Sequence, residues 1–183
     1  MTTAFILAGP DRRTFILSGS AAIADLFLAG CSPGPLIGSL EAVVIAAEAA
    51  IPIIAAAAGL PPQTTTLIVG FLELVLKAAD QATTILAGPG TTAEKSAAII
   101  AAFSNLAQGC NCLPAGTPEV VVNVIDAIAK AIAQFLTHFA PKPGLTGSAV
   151  APVIKIGRAD RAALAKIRTR AEQNMSKLKD LKK

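Results

Sequence analysis

From residue 32 onward, apolar and polar positions fall into helix-length blocks separated by proline and glycine: Ser32-Pro33-Gly34-Pro35, Gly59-Leu60-Pro61-Pro62, Gly88-Pro89-Gly90, Pro114-Ala115-Gly116 and Pro141-Lys142-Pro143-Gly144. The four segments between these breaks are rich in Ala, Leu, Ile and Val. They lack period-two alternation, so the pattern predicts four α-helices. In the second, Gly70, Glu73, Lys77, Asp80, Gln81 and Thr84 fall at helical spacing on a polar face. Leu67, Phe71, Leu74, Val75, Ala78 and Ile85 occupy the remainder. Glu73 and Lys77 are an i, i+4 pair in the favourable order. The fourth repeats the arrangement, with Glu119, Asn123, Asp126, Lys130, Gln134 and Thr137 on one stripe and Val120, Val121, Val124, Ile125, Ile128, Ala131, Ile132 and Phe135 elsewhere. Thr117 is expected to cap it, with Pro118 in the first turn. Thr91-Thr92-Ala93-Glu94 has the form of a capping box for the third segment.

The first segment is apolar nearly all round, its charges limited to Glu41 and Glu48, and Pro52 is expected to kink it. Such a helix belongs in the centre of a bundle or against lipid, and its two amphipathic neighbours favour the bundle. The expected fold is all-α: an Ala-rich antiparallel four-helix bundle over residues 31–144, a linker over 145–154, and a separate basic helix over 155–183.

That last segment changes character. Leu164, Ile167, Ala171, Leu178 and Leu181 fall at heptad a and d positions with Asn174 as the polar member of the row. Charge is divided unevenly along the chain. Residues 1–154 hold six Lys/Arg against nine Asp/Glu, a net of −3, whereas residues 155–183 hold ten against three, a net of +7. The helix is suited to self-association, to docking on the bundle, or to attraction by anionic surfaces. Arg161, Lys166, Arg168, Arg170, Lys177 and Lys179 are the candidate residues for binding a partner or an anionic surface. The overall charge of +4 therefore does not describe a nucleic-acid-binding domain. The body is mildly acidic, and with no Trp or Tyr and only 4% aromatic residues the chain lacks platforms for base stacking.

The first thirty-one residues follow a different logic. Arg12-Arg13 precede a run from Thr14 to Gly30 whose one charge is Asp25, ending in Leu28-Ala29-Gly30-Cys31. A charged pair, a short apolar stretch and small residues before a cleavage point are the parts of an export signal. The apolar stretch is shorter than the roughly 20 residues a membrane span needs. Asp11-Arg12-Arg13-Thr14-Phe15-Ile16-Leu17 resembles the twin-arginine translocation motif, Ser/Thr-Arg-Arg-x-Phe-Leu-Lys, in the Arg pair and Phe15, and differs from it at Asp11, Ile16 and Leu17. Leu28-Ala29-Gly30-Cys31 is similar to the bacterial lipobox at all four positions. The resemblance implies an export signal over residues 1–30, cleavage before Cys31 and lipid attached to its sulfur. It also implies a bacterial cell-envelope protein that faces the periplasm or exterior, with a membrane partner met through the lipid. Multiple acyl chains on one cysteine anchor firmly, so no spanning helix is required. The alternative is a multispan or membrane-active protein in which residues 36–60 and 120–139 enter the bilayer.

If Cys31 carries lipid, Cys110 and Cys112 remain as an even pair, read as a loop disulfide or as two thiols. With His138, the only histidine, they fall short of the four ligands that structural zinc takes, so no metal or other cofactor is expected. The chain contains no nucleophile elbow, metalloprotease motif, phosphate loop or dinucleotide fingerprint. Glu41 and Glu48 stand about 10.5 Å apart along a helix, beyond the carboxylate spacing of glycosidases. No catalytic residues are assigned. The expected role is structural or adaptor-like, with a protein partner or a second copy meeting the last helix.

Overall fold

The computed structural model describes residues 33–57, 59–140 and 154–182, and their regular structure is helical throughout. Among the described residues there are five α-helices: α1 Pro33–Ala56, α2 Pro62–Ala87, α3 Thr92–Phe103, α4 Glu119–Thr137 and α5 Arg158–Asp180, with a 3-10 turn at Gly109–Cys112 between α3 and α4. The fold is all-α, as the absence of period-two alternation predicts.

The central place goes to α1, which packs against α2, α4 and α5. Its composition dictates this. Leu36, Leu40, Val43, Val44, Ala47, Ala50 and Ile54 are buried, and what remains outside is the narrow strip Gly34, Gly38, Glu41, Ile45, Ala49, Pro52 and Ala55. Ala47 and Ala50 are the small residues on the buried side of α1, and Ile45 is its one large apolar residue left exposed. The helix continues past Pro52 to Ala56. Pro52 stands in the exposed strip near the helix end, where few following residues depend on the ladder it interrupts.

Gly59, with φ of +107°, reverses the chain between α1 and α2, a backbone conformation that a Cβ would strain. The buried arc of α2 runs through Ile68, Leu72, Val75, Leu76, Ala79, Ala82 and Leu86. Because α1, α3 and α5 all press on that arc, Leu67 and Leu74 are left more than half exposed, although pattern alone places them with the apolar positions. The expected capping box opens α3. The Thr91 side chain accepts from the Glu94 amide at 3.3 Å, and the Glu94 carboxylate accepts from the Thr91 amide at 2.8 Å. Phe103, Phe135 and Phe139 then stack edge to face, with both ring pairs 5.2 Å apart, and join the end of α3 to the end of α4.

Two expectations are corrected here. Thr117 does not cap α4: its hydroxyl donates to the Pro114 carbonyl at 2.8 Å within the preceding turn, and Pro118 takes the cap position. The basic helix is not separate. It lies along α2 and α1, burying Leu164, Ile167, Ala171, Asn174 and Leu178, the a and d row, in the same core as the other helices. The apolar row on α5 and the open faces of α1 and α2 bury one another, which removes more apolar surface from water than either could alone.

Candidate functional site

The face that α5 presents to the body combines an apolar row with charged flanks. On one flank, Arg170 Nε donates to Glu48 Oε2 of α1 at 2.5 Å. On the other, Arg168 Nε lies 3.0 Å from Asp80 Oδ1 of α2 and also donates to Glu172 Oε1 at 3.1 Å. Beyond the helix end, Lys182 Nζ donates to Glu73 Oε2 of α2 at 2.7 Å. Arg168 and Lys182 meet Asp80 and Glu73 in opposite chain order, so α5 and α2 run antiparallel. Glu73, expected to pair with Lys77, takes Lys182 because α5 lies alongside α2. The acidic body and the basic tail are thus complementary within one chain.

Glu48 is the most perturbed carboxylate of this seam. The bond from Arg170 holds its pKa below the ordinary value, against partial burial that pushes it up, and nearby Asn174 and Lys177 add to the lowering. Asn174 is almost fully buried beside it, and its Nδ2 finds no hydrogen-bond partner, so the amide biases Glu48 without closing an aligned bond. Pairs exposed to this degree contribute about 0–1 kcal/mol each and are screened by salt. They set the register of α5, whereas its apolar row supplies most of the attraction.

The candidate residues of α5 therefore divide. Arg168 and Arg170 are engaged by carboxylates of the body. Lys179 lines a shallow cleft of about 320 Å³ between α2 and α5, together with Glu73, Lys77, Glu172, Met175 and Ser176. Arg161 and Lys166 are exposed on the outer side, and Lys177 is exposed on the flank toward Glu48. Sequence placed all six on one basic helix but could not distinguish cations that face carboxylates from those that face water.

A second polar contact ties α1 to α4. Ser39 donates its hydroxyl to the Pro35 carbonyl at 2.9 Å and lies 3.3 Å from His138 Nε2. With its proton on Pro35, the serine accepts from the imidazole N–H, so His138 is not placed as a base for it. Burial lowers the pKa of His138 and favours the neutral ring. The contact brings the start of α1 to the end of α4, so these helices are antiparallel. Lys95 is buried, and it donates to the Leu86 carbonyl at 2.9 Å. An ammonium there satisfies a last-turn acceptor of α2 and faces the negative end of its dipole.

Cys110 and Cys112 lie in the 3-10 turn, and their thiols are outside what is described. Among the described residues, no three His, Cys, Asp or Glu side chains gather as a metal site. Cys31 and the signal residues Arg12, Arg13, Phe15, Leu28, Ala29 and Gly30 also lie outside the described residues. No protein-family profile, curated protein or solved structure matches the chain.

Proposed function

We propose that this protein is an exported bacterial lipoprotein, held to a membrane of the cell envelope by acyl chains on Cys31, with a structural or adaptor role for its helical domain. The observation that carries the reading is the four-residue match Leu28-Ala29-Gly30-Cys31, preceded by Arg12-Arg13 and Phe15 and followed at Pro33 by the first described helix. In this reading, residues 1–30 are removed, and α1 to α4 form an antiparallel bundle from residue 31 to 144. Residues 145–154 are the linker between the bundle and α5. A protein partner or a second copy would meet the helical domain. No enzymatic role is proposed, and no cofactor is required.

A second reading has its own support. Among the described residues, two helices, α1 and α4, are long and apolar enough to cross a membrane, and 44% and 33% of their most apolar stretches are buried. The outward face of α4 nevertheless carries Glu119, Asn123, Lys130 and Gln134, and that of α1 carries Glu41. Charges at the bilayer centre cost on the order of 2.5 kcal/mol or more each, so both helices are better satisfied by one another than by lipid. An alkaline carbonate wash of membranes distinguishes the readings. The account expects the wild-type protein to stay with the membrane and a Cys31→Ser variant to be released. Retention of that variant in the washed membrane supports the spanning alternative.

A further inference from the structure

The docked position of α5 sorts its cations into two sets. Arg168, Arg170 and Lys182 are neutralised by Asp80, Glu172, Glu48 and Glu73. Lys155, Arg158, Arg161, Lys166, Lys177 and Lys179 are exposed and close no ion pair among the described residues. At 100° per residue around the helix, Arg161 and Lys179 stand on the flank nearer α2, and Lys166 and Lys177 on the flank nearer α1. Between the two rows run Ala162, Ala165, Thr169, Gln173 and Ser176, all exposed and uncharged, with Arg158 at one end of this ridge and Asp180 at the other. Long basic side chains on both sides of a low, neutral ridge can reach one plane together.

We infer that this outer face of α5 lies against the anionic phospholipid headgroups of the membrane. The inference rests on the lipoprotein reading, which brings the domain to such a plane. The apolar row of α5 is buried in the protein core, so the helix cannot insert as an amphipathic helix does, and the attraction is coulombic. Nucleic acid fits less well, because α5 carries no aromatic residue on which bases could stack. Each basic residue near an anionic surface strengthens binding by about 5-fold, and the effect is salt-dependent because the Debye length falls from about 10 Å at 0.1 M to about 3 Å at 1 M.

The test uses the full chain carrying Cys31→Ser, sedimented with vesicles of phosphatidylcholine alone or mixed with phosphatidylglycerol. Any attraction of residues 1–30 for lipid is shared by a charge variant, so the variant isolates α5. The expected result is excess binding to the anionic vesicles that disappears near 1 M salt. Lys166→Gln with Lys177→Gln and Lys179→Gln should cut that excess by about 100-fold with unchanged helicity. If that triple variant loses helicity, Ala162→Glu with Thr169→Glu places anions on the ridge while keeping every cation, and should lower the excess as well. An excess that survives these substitutions overturns the inference, as does tighter binding to duplex DNA than to the anionic vesicles. Fatty-acid labelling of wild-type Cys31 in cells reads the anchor separately. Labelled Cys31 without an anionic excess sinks this inference alone, and an anionic excess with unlabelled Cys31 sinks the anchor alone.

Discussion

Replacing Asn174 by leucine is expected to stabilise the fold, although it removes a polar residue from a strongly basic helix. Asn174 continues the row Leu164, Ile167, Ala171 and Leu178, it is 1% exposed, and its Nδ2 is buried without a partner. An unsatisfied buried donor costs about 1–3 kcal/mol, and leucine, which shares the branching of asparagine at Cγ but is bulkier, removes that cost and adds apolar contact to the same row. Against this stands the loss of the amide's influence on Glu48, a carboxylate that keeps its bond from Arg170. The net gain is therefore about 1–2 kcal/mol. In a protein of 150–250 residues, each 1 kcal/mol moves Tm by about 2–4 °C, so a rise of about 2–8 °C is expected in thermal unfolding followed by circular dichroism. A buried polar residue in such a row commonly fixes register at the expense of stability. A Tm that is unchanged or lower, with α5 still helical, would show that the amide is satisfied and refute the reasoning.

Acid is expected to destabilise the protein in two stages. Burial depresses the pKa of His138, so unfolded chains take up its proton first and stability falls as pH drops below the ordinary imidazole value of about 6.5. Arg170 depresses the pKa of Glu48, so its contribution is intact above the ordinary carboxylate value of about 4.3 and is lost as pH falls below it. Urea titrations at several pH values should assign the upper stage to His138 by its loss in His138→Gln, and the lower to Glu48 by its weakening in Glu48→Gln. Gly109→Ala should cost about 1–3 kcal/mol by overpacking, because an added Cβ would lie 2.9 Å from Phe71 Cζ and 3.2 Å from Ile125 Cγ2. Gly70→Ala, in the middle of α2 with open space around it, should instead stabilise by about 0.5–1 kcal/mol, and equilibrium denaturation of the two variants checks both signs.

What could be read in the sequence was local. The proline and glycine breaks delimit α1 to α4, and the Thr91–Glu94 box follows from side chains three residues apart. The a and d row of α5 names the residues that are buried, except Leu181, which is half-buried just past the helix end. What could not be read depends on which helices meet. Leu67 and Leu74 look like core positions until three neighbours select a different arc of α2. Glu73 looks like the partner of Lys77 until Lys182 arrives more than a hundred residues later in the chain. The hydroxyl of Thr117 has two equivalent uses in sequence, and the Pro114 turn takes it. Ser39 and His138 carry no mutual signal at all, since only the antiparallel arrangement of α1 and α4 brings them together. The opposite charges of body and tail are visible as numbers, but which carboxylate meets which cation of α5 is a matter of packing.

The central claim is that lipid on Cys31, and not an inserted helix, holds this molecule at its membrane. The intact mass of the protein purified from its native membrane tests that most directly. The account predicts a polypeptide that begins at Cys31 and carries the added mass of acyl chains. A polypeptide that retains Met1 to Gly30 with an unmodified Cys31 would contradict it.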